Sequence, residues 1–139
     1  VSTDPSLAGA RWPEGVRHVP GLAGEALREA YRAADAFVLP TRRDHSSWVA
    51  AEAQATGLPV VIADVGGTST VVRDGETGFV LPRTASADDW AAAVDRVFED
   101  RARYGAMRAA ARAHAARALG SARMREAVDA LLPPLLAGA

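Results

Sequence analysis

The sequence predicts an α/β fold in which short parallel strands alternate with helices that cover the sheet. Three short apolar runs, over residues 36–39, 60–63 and 79–81, have the unbroken pattern of strands buried on both faces of a parallel sheet. Segments of helical period follow each run, and this order is typical of parallel sheets with right-handed crossovers. The chain of 139 residues has the length of one domain, so we expect a single domain over residues 1–139.

The elements before the first buried strand are expected to follow an irregular start. Residues 1–15 contain several prolines and glycines and no clear period, which predicts a loop. Residues 16–19 alternate between apolar and polar types before a proline–glycine pair, which predicts a brief strand. Residues 25–34 carry apolar side chains at helical spacing, which predicts an amphipathic helix.

A polar loop and a capped helix are predicted between the first and second buried strands. Residues 41–47 form the loop, and Ser46 or Ser47 is placed to cap a helix over residues 48–56. Gly57 stands where a helix C-terminal glycine belongs, and the proline two residues later prevents continuation of the helix.

Turns and further helices make up the remainder of the chain. Residues 64–67 predict a turn, and Thr68 or Ser69 is placed to open a short helix through Val72. Residues 74–78 predict a second turn before the third buried strand. Ser86 is placed to cap a helix over residues 88–99. Residues 101–139 predict C-terminal helices whose many arginines lie on a solvated face.

The composition indicates a globular protein without a polyanionic partner. The formal net charge is −1, so the basic excess that favours nucleic acid or an anionic membrane is missing. Cysteine is absent, which excludes disulfides and thiolate metal sites, and lysine is absent, so all 16 basic residues are arginines. No apolar run is long enough to span a bilayer and no signal-peptide pattern is present, so we expect no transmembrane segment and a cytoplasmic location.

The loops at the carboxyl ends of the strands hold the candidate site, because ligands of parallel α/β sheets bind there. The helix that starts after Ser47 offers backbone N–H groups and a partial positive charge, which suit a phosphate. Glu52, one turn into that helix, is suited to accept hydrogen bonds from a ribose diol, and Asp44 would reach beyond the phosphate. The alternative is structural, since acidic residues and serines near a helix N-terminus commonly complement the dipole and cap the helix.

A glycine pair and three nitrogen-bearing side chains complete this constellation. Gly66 and Gly67 allow a ligand to approach the backbone closely, or else form a tight turn without a ligand. No Walker A loop or full dinucleotide fingerprint is present, which disfavours a P-loop NTPase and the usual NAD-binding domain. His45 is placed to donate to a phosphate or a sugar hydroxyl, or else is a solvated loop histidine. Arg42 and Arg43 are placed to bind phosphate, or else are ordinary surface arginines.

Six segments between residues 15 and 80 stand in a specific order and spacing. They are GVRHVPG at 15–21, LREAYRAADAFVLP at 27–40, DHSSWVAAE at 44–52, AQATGLPVV at 53–61, DVGG at 64–67 and VVRDGETGFV at 71–80. Together they resemble the C-terminal, donor-nucleotide-binding domain of retaining glycosyltransferases of the GT-B fold, family GT4. The resemblance runs over about residues 16–98 and implies a Rossmann-like parallel sheet with flanking helices.

The resemblance implies a role for each candidate position. Glu52 matches the second of two family glutamates separated by seven residues, which implies contact with the ribose hydroxyls of the donor. Asp44 falls on the first glutamate, which faces the donor sugar, and is one methylene shorter. Trp48 and the two serines before it occupy the stretch whose backbone amides meet the diphosphate and the sugar. The pair at residues 66–67 matches family glycines close to the donor.

The implied reaction is transfer of a sugar from a nucleoside diphosphate to an acceptor hydroxyl with retention of the anomeric configuration. The resemblance implies that no metal and no other cofactor is needed, and since no protein nucleophile is generally accepted for this family, we nominate no covalent residue. The family's first strands and its glycine–arginine loop with a later lysine are missing here, so we expect an N-terminal acceptor-binding domain in the same longer chain and no turnover by these residues alone. The alternatives are a catalytically silent GT-B-like binding or scaffolding module, or another GT-B enzyme such as a sugar-nucleotide epimerase.

Overall fold

The computed structural model describes residues 10–45 and 47–120. The chain divides into two compact units, Val1–Ala33 and Ala34–Ala139. Residues 10–15 contain a turn and no helix or strand, in agreement with the predicted irregular start. Residues 1–9 and 121–139 of the predicted terminal segments, together with Ser46, lie outside the described residues.

The described part of the first unit is built around the helix α1, Gly24–Ala33. This helix confirms the prediction for residues 25–34, and Glu25 in its first turn pairs with Arg28 and Arg32 at 2.9 and 3.0 Å. Residues 16–19 form no strand, so that prediction is wrong. A short alternating pattern specifies a strand only where one face is packed, and here Val16 is 52% exposed.

The second unit contains a parallel sheet of three strands: β1, Phe37–Leu39; β2, Val60–Asp64; and β3, Gly78–Pro82. The strands lie in the order β1-β2-β3 and confirm the predicted parallel sheet. The central strand β2 is buried from Val60 to Ala63. Val38 of β1 is 40% exposed, which corrects the prediction of burial on both faces for residues 36–39. α2 packs on β1, whereas α2 and α3 both pack on β2, so β1 has less helical cover than the central strand.

Three helices and a short 3₁₀ helix accompany the sheet in the second unit. They are α2, Trp48–Ala55; the 3₁₀ helix, Thr68–Thr70; α3, Ala87–Phe98; and α4, Arg101–His114, which continues as a π-helical turn over Ala115–Leu119. α2 contacts β1 and β2, α3 contacts β2 and β3, and α4 packs on α2 and α3. The predicted helices over residues 48–56 and 88–99 are thereby confirmed, and α4 confirms the start of the predicted C-terminal helices.

One of the predicted helix caps is confirmed and another is wrong. Ser86 accepts from the backbone N–H of Asp89 and forms a complete capping box at the start of α3, as its position predicts. Ser47 occupies the N-cap position of α2, but its side chain makes no capping hydrogen bond, so its predicted capping role is wrong. The other predicted cap, Ser46, lies outside the described residues.

A continuous apolar core joins the sheet to α3 and α4. Its central members are all 2% exposed or less: Val61, Phe79, Ala93, Val97 and Met107. This packing fixes the positions of the strands, and so of the loops at their carboxyl ends. Within residues 10–45 and 47–120, no helix has the length and apolar character needed to cross a membrane.

Candidate functional site

A polar cleft lies at the carboxyl ends of the three strands. It has a volume of about 360 Å³ and takes its walls from the loops that follow β1, β2 and β3. Its lining residues are Arg42, Arg43, Asp44, His45, Asp64, Val65, Gly66 and Arg83. The structure therefore brings together five of the predicted site residues at the predicted edge of the sheet.

Three arginines give the cleft its cationic character. Arg42 and Arg43 come from the loop after β1, whereas Arg83 directly follows the last residue of β3. None of them forms an ion pair within the part of the chain that the structure describes. Three guanidinium groups held in one cleft without a carboxylate contact favour an anionic ligand, because forked N–H donors match phosphate and carboxylate oxygens.

The glycine pair allows the first two loops to lie against each other. Gly66 adopts φ +57°, and a Cβ atom on it would overlap the backbone oxygen of Asp44. A Cβ atom on Gly67 would lie 2.7 Å from the backbone oxygen of His45, and the Gly67 N–H donates to that same oxygen at 3.2 Å. The space that glycine keeps open is thus filled by neighbouring backbone, and Gly66 still lines the cleft beside Asp44 and His45.

A buried hydroxyl fixes the turn that carries these glycines. The Thr68 side chain is fully buried, and its single hydroxyl hydrogen is shared between the backbone oxygens of Ala63 in β2 and Val65 in the turn. Its Oγ1 also accepts from the Val65 N–H at 3.1 Å. Buried polar groups with several partners hold one backbone conformation. Thr68 was expected only to open a short helix, and its sequence position at a helix start gave no sign of these contacts.

The start of α2 lies beside the cleft and presents a different surface. Trp48 is 63% exposed, Val49 is 41% exposed, and Glu52 on the same helix is also exposed. Ser47 is 2% exposed, and its Oγ has no hydrogen-bond partner in the described structure. None of these side chains belongs to the described lining of the cleft.

The predicted site residues therefore separate into two groups. The first group lines the cleft and consists of Arg42, Arg43, Asp44, His45 and Gly66, and Gly67 supports it through His45. The second group, outside the described lining, consists of Glu52, Ser47 and Trp48. The predicted site is thus distributed over the cleft and the adjoining face of α2.

Two lining residues were not singled out from the sequence. Asp64 is the last residue of β2, and Arg83 follows Pro82, the last residue of β3; Asp64 and Pro82 are register partners. Their signal was positional, since each is the first charged residue at the carboxyl end of a buried strand. Across residues 10–45 and 47–120, no group of three or more histidines and carboxylates is placed to hold a metal ion.

The comparisons with known proteins all point to glycosyl transferases. The family model for glycosyl transferases group 1 matches residues 9–114. D-inositol 3-phosphate glycosyltransferase of Nocardia farcinica is 47% identical over 103 residues, which are 74% of this chain and 23% of the relative. The enzyme of the same name from Geodermatophilus obscurus is 42% identical over 124 residues, 89% of this chain and 26% of the relative. The chain thus spans about a quarter of the length of these curated relatives.

A solved structure shows the same architecture. Sucrose-phosphate synthase from Thermosynechococcus elongatus superposes with a TM-score of 0.77 at 28% identity, over 87% of this chain and 30% of that one. The Rossmann-like parallel sheet with flanking helices, predicted as part of a GT-B fold, is confirmed by this likeness. Because the family model covers well over half of the residues, this chain belongs to the glycosyl transferases of group 1.

Proposed function

We propose that these residues form the donor-binding part of a retaining, GT4-like glycosyltransferase. The enzyme would transfer a sugar from a nucleoside diphosphate to an acceptor hydroxyl, together with an N-terminal acceptor-binding domain of a longer polypeptide. The observation that carries the proposal is the cleft at the strand ends, where three arginines without ion pairs meet in a chain of this family. Such a cleft suits the leaving diphosphate, the part of the donor that gains charge during transfer.

The chemistry assigned to the cleft is stabilisation of the departing diphosphate. Guanidinium groups donate forked hydrogen bonds to phosphate oxygens, and they interact more strongly with the transition state as negative charge develops there. Asp44 also lines the cleft, and we assign it to accept hydrogen bonds from hydroxyls of the transferred sugar. We assign no residue as a covalent nucleophile and no metal ion to the reaction.

Glu52 is assigned to the nucleoside end of the donor. Its carboxylate is on the exposed part of α2, one turn after the helix begins, and not in the described lining of the cleft. In this proposal the donor crosses the start of α2, with its ribose beside Glu52 and its sugar entering the cleft beside Asp44. Trp48, whose side chain is exposed, lies between Asp44 and Glu52 in the sequence.

The acceptor is proposed to be a small hydroxyl compound. D-inositol 3-phosphate is the first candidate to test, since it appears in the names of the similar proteins from Nocardia farcinica and Geodermatophilus obscurus.

The proposal is tested with the natural polypeptide that carries these residues. Transfer and slow hydrolysis are measured with a panel of UDP-, GDP- and ADP-sugars, and the anomeric configuration of the product is read by NMR. We expect Glu52→Gln to raise KM for the donor by about tenfold, with a smaller change in kcat, because it weakens binding in ground and transition states alike. Glu99→Gln, at an exposed carboxylate at the end of α3, is the matched control and is expected to behave as the wild type.

The second candidate is a binding module of the same fold that does not turn over a donor. The observation in its favour is that Glu52 and the cleft are not contiguous in the described lining. The two candidates separate in one experiment: a module binds nucleoside diphosphates, which raises its melting temperature, but yields no product. Absence of any binding at millimolar nucleotide would contradict both.

A further inference from the structure

We infer that Arg83 is a phosphate-binding residue that completes an arginine cluster with Arg42 and Arg43. The inference rests on the proposed function for the identity of the natural ligand, and on the cleft for its chemistry. Arg83 follows β3, the strand farthest from β1 in the sheet, so it enters the cleft from a different loop than the other two arginines. Sequence spacing alone, 40 positions between Arg43 and Arg83, would not associate them.

The charge balance of the cleft points to an anion. Three arginines outside the cleft, Arg28, Arg32 and Arg73, form ion pairs with carboxylates at 2.9 to 3.2 Å. The three cleft arginines form none, although two aspartates line the same walls. Like charges confined to one cleft repel each other, and an oxyanion between them would turn that repulsion into attraction.

The arrangement fits a phosphate better than a carboxylate. A carboxylate is planar, and its two oxygens are satisfied by one forked guanidinium. A tetrahedral phosphate presents several oxygens in different directions, which matches donors that arrive from two loops on opposite strands of the sheet. Because the chain contains no lysine, arginine is the only side chain with a permanent positive charge that can serve here.

Two sources of phosphate fit this chemistry: the diphosphate of the donor, and a phosphate ester on the acceptor. The probes are therefore inorganic pyrophosphate, UDP and D-inositol 3-phosphate, titrated into the natural polypeptide by calorimetry. We expect the wild type to bind pyrophosphate and Arg83→Ala to bind it about tenfold or more weakly, as expected for loss of a charge-assisted contact. Arg83→Lys should recover part of the affinity, since it keeps the charge but not the fork.

Arg101→Ala is the matched control, because Arg101 is an exposed arginine at the start of α4 and does not line the cleft. A selective loss of UDP binding in Arg83→Ala assigns the cluster to the donor, and a selective loss of D-inositol 3-phosphate binding assigns it to the acceptor. Equal pyrophosphate affinity in Arg83→Ala and Arg101→Ala would overturn the inference. If Arg83→Ala is poorly folded by its melting curve, the comparison is made with Arg83→Lys and Arg83→Gln.

The inference and the proposed function can fail separately. Pyrophosphate binding that depends on Arg83, in a polypeptide that transfers no sugar, would leave the phosphate site standing and remove the proposed reaction. Sugar transfer that is unchanged in Arg83→Ala, with unchanged pyrophosphate binding, would remove the phosphate site and leave the reaction.

Discussion

The cleft and the contact between α2 and α4 use the same side chain, arginine, in opposite ways. In the α2–α4 contact, Arg108 Nε donates to the backbone oxygen of Gly57 at 3.1 Å, and Arg112 Nη2 donates to that of Thr56 at 3.2 Å. These two guanidinium groups satisfy carbonyls at the C-terminal end of α2, which lack partners inside the helix. In the cleft, the side chains of Arg42, Arg43 and Arg83 form no ion pair within the described residues.

The two regions also differ in how they treat buried polar groups. Behind α2, the backbone oxygen of Val71 accepts from Gln54 Nε2 at 2.8 Å and contacts His114 Nε2 at 3.1 Å. Gln54 and His114 are both 5% exposed or less, so these contacts belong to the core. The α2–α4 region therefore uses its polar side chains to hold the fold, whereas the arginines of the cleft remain available to solvent or a ligand.

The largest effect is expected where the cleft itself depends on backbone packing. Gly66→Ala should destabilise the protein by about 3 kcal/mol, because it combines left-handed backbone strain with overlap on the Asp44 oxygen. Urea denaturation measures the free energy of unfolding. Gly75→Ala is the control, since Gly75 also has a positive φ, +75°, but nothing within 4 Å of its Cβ position. It should cost only about 1 kcal/mol, and equal losses in the two variants would contradict the packing role of Gly66.

An intermediate effect on stability is expected when an arginine is replaced by alanine in each of the two regions. Arg108→Ala should destabilise the protein by about 1–2 kcal/mol, because it removes partly buried hydrogen bonds to Gly57 and Tyr104. Arg42→Ala in the cleft should change the free energy of unfolding by less than about 0.5 kcal/mol. Thermal and urea unfolding of both variants compare the regions directly, and a large loss in Arg42→Ala would show that the cleft arginines hold the fold.

The smallest effect is expected from protonation of His114 in the α2–α4 region. Burial lowers the pKa of His114 below its ordinary value of 6.5, and the nearby Arg73 lowers this pKa further. Arg117 also lowers the pKa of His114, while the Val71 contact and Glu76 raise it. Since a carbonyl only accepts, His114 Nε2 carries the hydrogen, and protonation would add a buried N–H at Nδ1, which has no partner in the described structure.

The sign of this pH dependence follows from linkage. The unfolded protein binds the proton more readily, so the contribution of neutral His114 is present above pH 6.5 and is lost as the pH falls below that value. Urea denaturation at pH 8, 7, 6 and 5 measures the slope. His114→Gln keeps a donor for Val71 and should flatten the curve in this interval, whereas an unchanged slope would assign the titration to other groups.

Much of the fold was predictable because its signals are local. The apolar runs that became β2 and β3, the glycine that ends α2, and the serine that caps α3 each depend on a few neighbouring residues. The errors occurred where a local pattern lacked a tertiary partner. Residues 16–19 alternate without becoming a strand, and Val38 is exposed on β1, which α2 contacts but which has less helical cover than β2.

The candidate site was predictable only as far as the loops that form it. Asp44, His45 and Arg42 were placed in one loop by their sequence positions, and they line the cleft. Arg83 carried a positional signal as the first charged residue after β3, but its approach to Arg42 and Arg43 could not be read from spacing. The separation of Glu52 from the lining could not be read from spacing either. Both depend on the positions of strands and helices that lie far apart in the chain.

The sequence by itself determined that this protein alternates strands and helices, that its polar loops gather at one sheet edge, and that its fixed positive charges are arginines. Only the tertiary structure decided which polar side chains form hydrogen bonds inside the protein. Arg108 contacts Gly57 across 51 positions, and His114 contacts Val71 across 43. The physical reason is that periodicity and turn chemistry act over a few residues, whereas the pairing of a buried polar group is settled when distant elements pack together.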